Sequence, residues 1–305
     1  MALSVERCSA RSQARLEPMS ATASTVRRWL LLEHPGPWGE RALLDARLPE
    51  GLGRELRRLD RRLGIRVLLI RRPDRDVLDA GNCFAISSGP DEPWIERTHL
   101  GGRRDVLDLD LEALARGERL GLEPDDGPLF AVCTHGRHDP CCAERGRPLA
   151  QWLSVTHPDA TWECTHVGGD RFAANIVAFP HGWYFGRVEA DAGPVVVNAY
   201  VDGRIDLEHA RGRSCLPIDV QAADLFLRKD RGLDGLDDVT LRRADRRATR
   251  TRVEFGTSQG RFAVVVARSS GDPVLLTCRS VDPLAPPLFE LVGIEPLDVR
   301  GERTG

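Results

Sequence analysis

The sequence predicts an α/β protein that carries a small α+β module at its C-terminal end. A strand, a helix and a second strand follow one another between residues 26 and 73, as in a βαβ unit. A further strand begins at residue 128 and leads into another helix. Residues 251–280 alternate around Gly and Ser turns in the manner of antiparallel strands. With 305 residues the chain is long enough for two or three domains.

Composition and charge narrow the classes of function. The chain is 41% hydrophobic and 29% charged, which is ordinary for a globular protein. Its net charge of -3 gives no electrostatic reason to expect nucleic acid or an anionic membrane as a partner. The sequence contains no apolar run of the length that spans a bilayer. We therefore expect a cytoplasmic protein that binds neither nucleic acid nor membrane.

Residues 1–23 are polar and lack the apolar region of a signal peptide. We expect them to form a flexible leader in which Cys8 is an exposed thiol without a role. In a reducing compartment the eight cysteines favour metal ligands, redox thiols or buried apolar residues over structural disulfides.

An N-terminal α/β half is predicted over residues 24–122. The first helix has leucines at positions 52, 56, 59 and 63, a spacing that places them on one face, and Gly64 ends it. The next strand stops at Pro73. The EPDDGP segment at 123–128 is predicted to be a linker and a domain boundary. The predicted elements of this half are strands at 26–34, 65–73 and 80–88, a helix at 48–64, and a strand running into a helix at 105–121.

A second domain is predicted over residues 128–212. It begins with a buried strand at 128–134 and a helix that starts at Cys142, with Leu149, Trp152 and Leu153 facing inward. Residues 161–167 alternate as a strand does, and a hairpin turns at His181-Gly182. The segment 194–207 is ambiguous, because its valines favour a strand whereas a helix before the following turn is equally compatible.

The C-terminal α+β module is predicted over residues 218–305. A polar loop at 209–218 precedes it. A helix at 219–232 should bury one apolar face and end at Gly232. Antiparallel strands at 251–280 and a last strand at 286–299 complete the module. The residues expected to be buried on the helix are Val220, Ala223, Leu225 and Phe226.

Most of the chemical signal lies between residues 133 and 187, which hold four of the eight cysteines and five of the eight histidines. Cys133 leaves a strand and Cys142 begins a helix, where the helix dipole and free amide groups favour a thiolate. Cys164 and His166 are two residues apart on a predicted strand and should therefore face the same side. The two pairs predict a metal or iron–sulfur site.

Other interpretations of these residues stay open. Buried free cysteines are common, so the cysteines could be clustered by chance. A structural zinc site would use the same residue types, although their spacing differs from the usual zinc-finger patterns. The adjacent Cys141 and Cys142 are poorly placed to form a redox disulfide. His135 and His138 are expected to be turn residues and not ligands.

The segments CTHGRHDPCC and HVGGDRFAANIVAFPHGWYFGRV closely resemble the sucrase/ferredoxin-like family of thioredoxin-like [2Fe-2S] proteins. The similarity extends over about residues 20–230 and includes VRRWLLLEHPGPWG and GRIDLEHARGRS. It implies a thioredoxin-like ferredoxin fold with one [2Fe-2S] cluster, and it makes 194–202 a helix. The family pattern C-x-H-G-x-x-D-x-x-C falls on Cys133 and Cys142, which leaves Cys141 as a less suitable ligand.

The resemblance implies that the other two cluster ligands come from an H-x-x-x-H motif. Its first histidine falls on His166, but its second position is Asp170. A carboxylate is a poorer ligand for a cluster iron than imidazole or thiolate. Cys164 is the preferred substitute, which gives the set Cys133, Cys142, Cys164 and His166, and Asp170 is the alternative to Cys164.

The sequence therefore predicts a [2Fe-2S] protein that transfers electrons or senses redox state, with an unidentified redox partner protein. An electron carrier is favoured over an enzyme, and nothing in the sequence supports glycoside hydrolysis, which needs two carboxylates beside a sugar site. The alternative is a thioredoxin-fold dithiol oxidoreductase or a zinc-stabilised binding module without iron.

Overall fold

The computed structural model describes residues 6–74 and 81–297. Residues 1–5 of the predicted leader, residue 80 of a predicted strand and the end of the C-terminal module lie outside the described residues. The helices are α1 (Cys8–Ala14), α2 (Leu52–Leu63), α3 (Leu111–Arg116), α4 (Pro140–Thr156), α5 (Gly193–Val201) and α6 (Ile218–Arg231). The strands are β1 (Arg28–Glu33), β2 (Ile65–Arg71), β3 (Asn82–Ser87), β4 (Trp94–His99), β5 (Glu123–Pro124), β6 (Leu129–Cys133), β7 (Thr161–Cys164), β8 (Ile176–Phe179), β9 (Trp183–Phe185), β10 (Ala210–Arg213), β11 (Val239–Arg247), β12 (Arg250–Thr257), β13 (Gly260–Ser270) and β14 (Pro287–Leu297).

A curled mixed sheet of ten strands forms the larger part of the molecule, in the order β10-β9-β8-β6-β7-β2-β1-β3-β4-β5. Two pairs are parallel, β1 with β2 and β6 with β7. The strands that precede and follow the predicted linker meet where β2 pairs antiparallel with β7, through Ile70–Cys164 and Arg71–Glu163. Both predicted halves therefore contribute to one sheet.

Alternating side chains of the strands form separate cores on the two faces of this sheet. Trp29 and Leu31 of β1 share a core with Ala131 and Cys133 of β6. Their neighbours point to the opposite face, where Leu30 packs with leucines of α2 and Phe130 packs with leucines of α4. Helices α2 and α4 thus pack their leucines on the face opposite the one that holds the sulfur of Cys133, although Cys142 in the first turn of α4 reaches the core of Cys133.

The C-terminal module is a four-stranded antiparallel sheet in the order β11-β12-β13-β14. Val220 and Leu227 of α6 pack against Val253 and Val264 of this sheet. The predicted helix is confirmed, including its end at Gly232 with a φ of 66°. Three of its four predicted inward residues are buried, whereas Phe226 is partly buried.

The strand–helix–strand unit of the N-terminal half is confirmed as β1, α2 and β2. Gly64 caps α2 in the left-handed conformation with a φ of 67°, which glycine adopts without steric cost. Residues 193–201 form α5, so the helix implied by the family resemblance is correct and the strand propensity of the valines is overridden.

Several predicted elements differ from the structure. Residues 103–107 form a short 3-10 turn before α3 where a strand was expected, and the strand of this region is β4, which the prediction missed. The predicted polar loop at 209–218 contains β10. Trp152 on α4 is 44% exposed and does not face inward, because its position lies on the solvent side of the helix.

The described part of the leader is folded. Residues 8–14 form α1, and Cys8 is fully buried, so the expectation of an exposed thiol is wrong. Cys8 packs with Cys141, Ala173 and Cys278, which come from three distant parts of the chain. Within the described residues, none of the helices combines the length and apolar character needed to cross a membrane.

Candidate metal centre

Two parallel strands end side by side at cysteines. Cys133 is the last residue of β6, Cys164 is the last residue of β7, and the two residues are register partners. Cys142 lies in the first turn of α4, where Asp139 accepts a hydrogen bond from the Cys141 amide as the helix cap. All three thiols are at most 1% exposed and belong to the core that also contains Trp29.

Helix α4 lies directly against the end of β6. A Cβ atom added to Gly146 would lie 2.1 Å from the carbonyl oxygen of Cys133, so the close approach requires a glycine. This contact brings the first turn of α4 to the end of the strand. A hydrogen bond between the thiols of Cys133 and Cys142 holds the pKa of Cys133 well below its ordinary value, and contacts with His166 lower it further. The same hydrogen bond raises the pKa of Cys142.

His166 lies beyond the end of β7, because the strand stops at Cys164. The expectation that Cys164 and His166 share one face of a strand is therefore wrong. His166 nevertheless reaches the site: its ring, Cys133 Sγ and Cys142 Sγ offer ligand atoms that all lie within 4.8 Å of one another.

Asp170 completes this arrangement from a short 3-10 turn, Asp170–Phe172. Its Oδ1 accepts a hydrogen bond of 3.1 Å from Cys142 Sγ and lies 2.9 Å from His166 Nδ1. The turn follows Gly168 and Gly169, which have φ values of 98° and 80° that favour glycine. Asp170 is 2% exposed.

The charges of His166 and Asp170 stabilise each other. Burial by itself would lower the pKa of His166, but its contacts with Asp170 and Cys133 outweigh burial and raise the pKa to about 9. Burial would likewise raise the pKa of Asp170, yet the contact with His166 gives a net lowering. The metal-free site therefore contains an imidazolium beside a carboxylate at neutral pH.

Cys164 is buried beside these residues but is not a member of the ligand-atom groups that the described residues form. Burial is the main cause that raises the pKa of its thiol, and the neighbouring Cys133 adds to this effect. Cys164 is thus a neighbour of the site, whereas Asp170 contacts two of its members.

Three histidines line the open side of the site. His138 stacks on His166 with ring centroids 3.9 Å apart, and His135 stacks on His138 at 5.6 Å. His135 accepts a hydrogen bond from the His166 amide and contacts the Gly39 carbonyl. All three rings border a cavity of about 350 Å³. His138, which was expected to be a turn residue, also forms a ligand-atom group with His166 and Asp170.

A buried arginine holds the loop that carries Asp170. Arg211 on β10 donates 3.0 Å and 2.7 Å hydrogen bonds to the Gly168 carbonyl and Asn175 Oδ1. It also donates to the carbonyl and hydroxyl of Thr22. Asn175 in turn donates to the Gly169 carbonyl. The turn that carries Asp170 is therefore held by hydrogen bonds on both sides, at Gly168 and Gly169 before it and at Asn175 after it.

A second group of possible ligands lies at the start of α4. It consists of Cys8, Asp139, Cys141 and Cys278, whose ligand atoms all lie within 4.8 Å of one another. This group could bind a metal. This group was not predicted from the sequence, because two of its members lie far from the CTHGRHDPCC segment and only Asp139 and Cys141 are in it.

The fold and the sites define a mixed α/β protein with clustered buried cysteines that could form a metal site. The sequence model of the sucrase/ferredoxin-like family matches residues 19–212, which is more than half of the chain. The chain therefore belongs to the sucrase/ferredoxin-like family, which confirms the resemblance seen in its sequence. No curated protein and no solved structure was found to match the chain.

Proposed function

We propose that this protein binds a [2Fe-2S] cluster in a thioredoxin-like ferredoxin fold and acts as an electron carrier or redox sensor. The observation that carries the proposal is the meeting of two buried thiols with His166 and Asp170 beside the ends of β6 and β7. The thioredoxin-like assignment is supported by the parallel β6–α4–β7 unit, followed by the antiparallel strands β8 and β9. Family membership supports the same assignment.

The donor set fits an iron–sulfur cluster. Thiolates are the usual ligands of such clusters, and imidazole replaces them in the Rieske type. Cys133 and Cys142 are buried in an apolar core, which would exclude water from a cluster held there. The amides at the start of α4 favour negative charge on Cys142. Three of the four donors are therefore of types that cluster irons accept.

We propose Asp170 as the fourth ligand because its carboxylate contacts both Cys142 and His166. It also forms a ligand-atom group with His138 and His166, whereas Cys164 belongs to none of the groups formed by the described residues. The sequence alone favoured Cys164, since thiolate is the better ligand for iron. Proximity outweighs ligand preference here, because the Asp170 carboxylate already contacts two of the residues that would hold the metal.

The cluster supplies one-electron transfer, and the protein controls access and protons. His166 must lose its proton to become a ligand, so loading of the site should release a proton at neutral pH. The three stacked histidines line the cavity, whereas neither Cys133 nor Cys142 does. A redox partner protein would approach from this side, where the ring of His166 is partly exposed.

One specific observation favours a zinc-stabilised module as the second candidate. The ligand atoms of Cys133, Cys142 and His166 lie within 4.8 Å of one another, which is compact enough for a single tetrahedral ion. A dithiol oxidoreductase is less well supported, because both thiols are at most 1% exposed and cannot reach a protein disulfide.

Anaerobic purification followed by iron and sulfide analysis tests the proposal. We expect iron and acid-labile sulfide in equal amounts, with visible absorption that bleaches on reduction by dithionite. Cys133→Ser and Cys142→Ser should each abolish the absorption. Cys83→Ser is the matched control, since Cys83 is a fully buried thiol in a different core. A colourless protein that holds zinc through Cys133 would refute the cluster and support the second candidate.

The fourth ligand is tested by two variants. Asp170→Ala should lose the cluster or make it labile, whereas Cys164→Ser should retain it. Asp170→His would create the two-histidine ligand set of the family pattern and should raise the reduction potential, because it removes a negative charge from the site. Loss of the cluster in Cys164→Ser together with its full retention in Asp170→Ala would reverse the assignment.

A further inference from the structure

We infer that Cys8, Cys141, Cys278 and Asp139 form a structural zinc site, separate from the proposed cluster. Three cysteines from the N-terminal helix, the start of α4 and a loop of the C-terminal module converge there. The site would fasten both segments that lie outside the family match to the part of the chain inside it. The inference does not depend on whether the first site holds iron.

The distances between the sulfurs fit a zinc ion. Cys141 Sγ lies 3.5 Å from Cys8 Sγ and 3.4 Å from Cys278 Sγ. Tetrahedral zinc with Zn–S bonds of about 2.3 Å places its sulfurs roughly 3.8 Å apart. The observed separations are close to this value and far longer than the roughly 2.05 Å of a disulfide bond. All three sulfurs and a carboxylate oxygen of Asp139 lie within 4.8 Å of one another, an arrangement that a pairwise disulfide would not require.

Asp139 provides the fourth donor and positions two of the cysteines. Its Oδ1 accepts a 2.9 Å hydrogen bond from the Cys141 amide, and its Oδ2 accepts one of 2.7 Å from the Cys278 amide. Both oxygens lie 3.8 Å from Cys8 Sγ. Each carboxylate oxygen of Asp139 keeps a second lone pair besides the one that accepts a hydrogen bond from a backbone amide. Asp139 can therefore complete a set of three sulfur ligands and one oxygen ligand.

Donors to sulfur surround the site, as they do around metal-bound thiolates. The Cys8 amide donates to Cys278 Sγ at 3.3 Å, and the Ser9 hydroxyl donates to Cys141 Sγ at 3.3 Å. Cys8 and Cys141 are fully buried, and Cys278 is partly exposed. A zinc site whose four positions are all filled by protein ligands is of the structural and not the catalytic type.

Metal analysis of the full chain, purified with its native metals, tests the inference. We expect one zinc per chain, retained in Cys133→Ser, which alters the first site. Cys8→Ser and Cys278→Ser should each lower zinc to the background level while leaving the visible absorption of any cluster in place. Cys215→Ser is the control, because Cys215 is buried in another core and should keep both metals.

Wild-type protein offers a second measurement if a variant fails to fold. Native mass spectrometry should show the chain with one zinc ion, and its removal by a chelator should lower the melting temperature without changing cluster absorption. Zinc retained in both Cys8→Ser and Cys278→Ser, or zinc lost in Cys133→Ser alone, would overturn the inference. A zinc-free wild-type chain in which Cys141 forms a disulfide with Cys8 or Cys278 would also overturn it. Failure of the cluster proposal would instead appear as the absence of iron from a zinc-containing protein.

Discussion

Replacement of Gly146 by alanine should damage the candidate metal centre without touching a ligand. The new Cβ would lie 2.1 Å from the Cys133 carbonyl oxygen, whereas real Cβ contacts stay above 3.0 Å. Helix α4 and strand β6 must then separate by about 1 Å, and such overpacking costs about 1–3 kcal/mol. Alanine recovers about 1 kcal/mol through its higher helix propensity. Because the new Cβ would meet main-chain atoms, which cannot rotate away, we expect an overpacking cost near about 3 kcal/mol. After the gain from helix propensity, the net loss of stability should be about 2 kcal/mol.

Chemical denaturation measures this loss, and metal analysis measures its effect on the site. The separation should move Cys142 away from Cys133, so Gly146→Ala should also bind less metal than the wild type. Gly293→Ala is the matched control, because a Cβ at Gly293 would meet no atom within 4 Å. A Gly146→Ala protein with unchanged metal content and equal or higher stability would show that α4 does not lie against Cys133 as described.

Two further predictions concern residues around the site. Arg211→Leu leaves buried carbonyls and the Asn175 amide oxygen without their charged donor. Chemical denaturation should therefore show that the free energy of unfolding falls by at least about 3 kcal/mol. The control is Arg243→Leu, which should change stability little because Arg243 is exposed. In metal-free protein the pKa of His166 is raised to about 9 above an unfolded value near 6.5. Protonated His166 should contribute up to about 3 kcal/mol to the free energy of unfolding. This contribution is complete below about pH 6.5 and is lost as the pH rises through about 9. His166→Gln should abolish this pH dependence of stability, and an identical pH profile in that variant would refute the prediction.

Local patterns predicted the elements whose stability depends on local signals. The leucine spacing of α2 and the glycine after it, Gly64, were sufficient to predict that helix and its end. Gly232 was likewise sufficient to predict where α6 ends. Strand β10 was missed because its sequence, ARGR, is polar. Its arginines are buried by hydrogen bonds to carbonyls from residues far away in the chain, which a single segment cannot reveal.

The same distinction applies to the sites. The sequence favoured the ligand set Cys133, Cys142, Cys164 and His166, with Asp170 as the alternative to Cys164. In the structure Cys133, Cys142 and His166 form one ligand-atom group, and Asp170 contacts Cys142 and His166. The partnership of Cys8 with Cys278 spans most of the chain. Each of these cysteines is unremarkable in its own segment, so their convergence depends on packing that composition and periodicity do not encode.

The ten-stranded sheet contains one arrangement twice. Outward from the pairing of β2 with β7, the strands run β2-β1-β3-β4-β5 on one side and β7-β6-β8-β9-β10 on the other, each with a parallel first pair followed by antiparallel neighbours. The two halves of the sheet thus share the same order and relative direction of strands, counted outward from the pairing of β2 with β7. Where the second half has Cys133 opposite Cys164 at the last rung of its parallel pair, the first half has Glu33 opposite Ile70. Cys133, Cys142 and His166 thus all belong to the second half, which meets the first half where β2 pairs with β7.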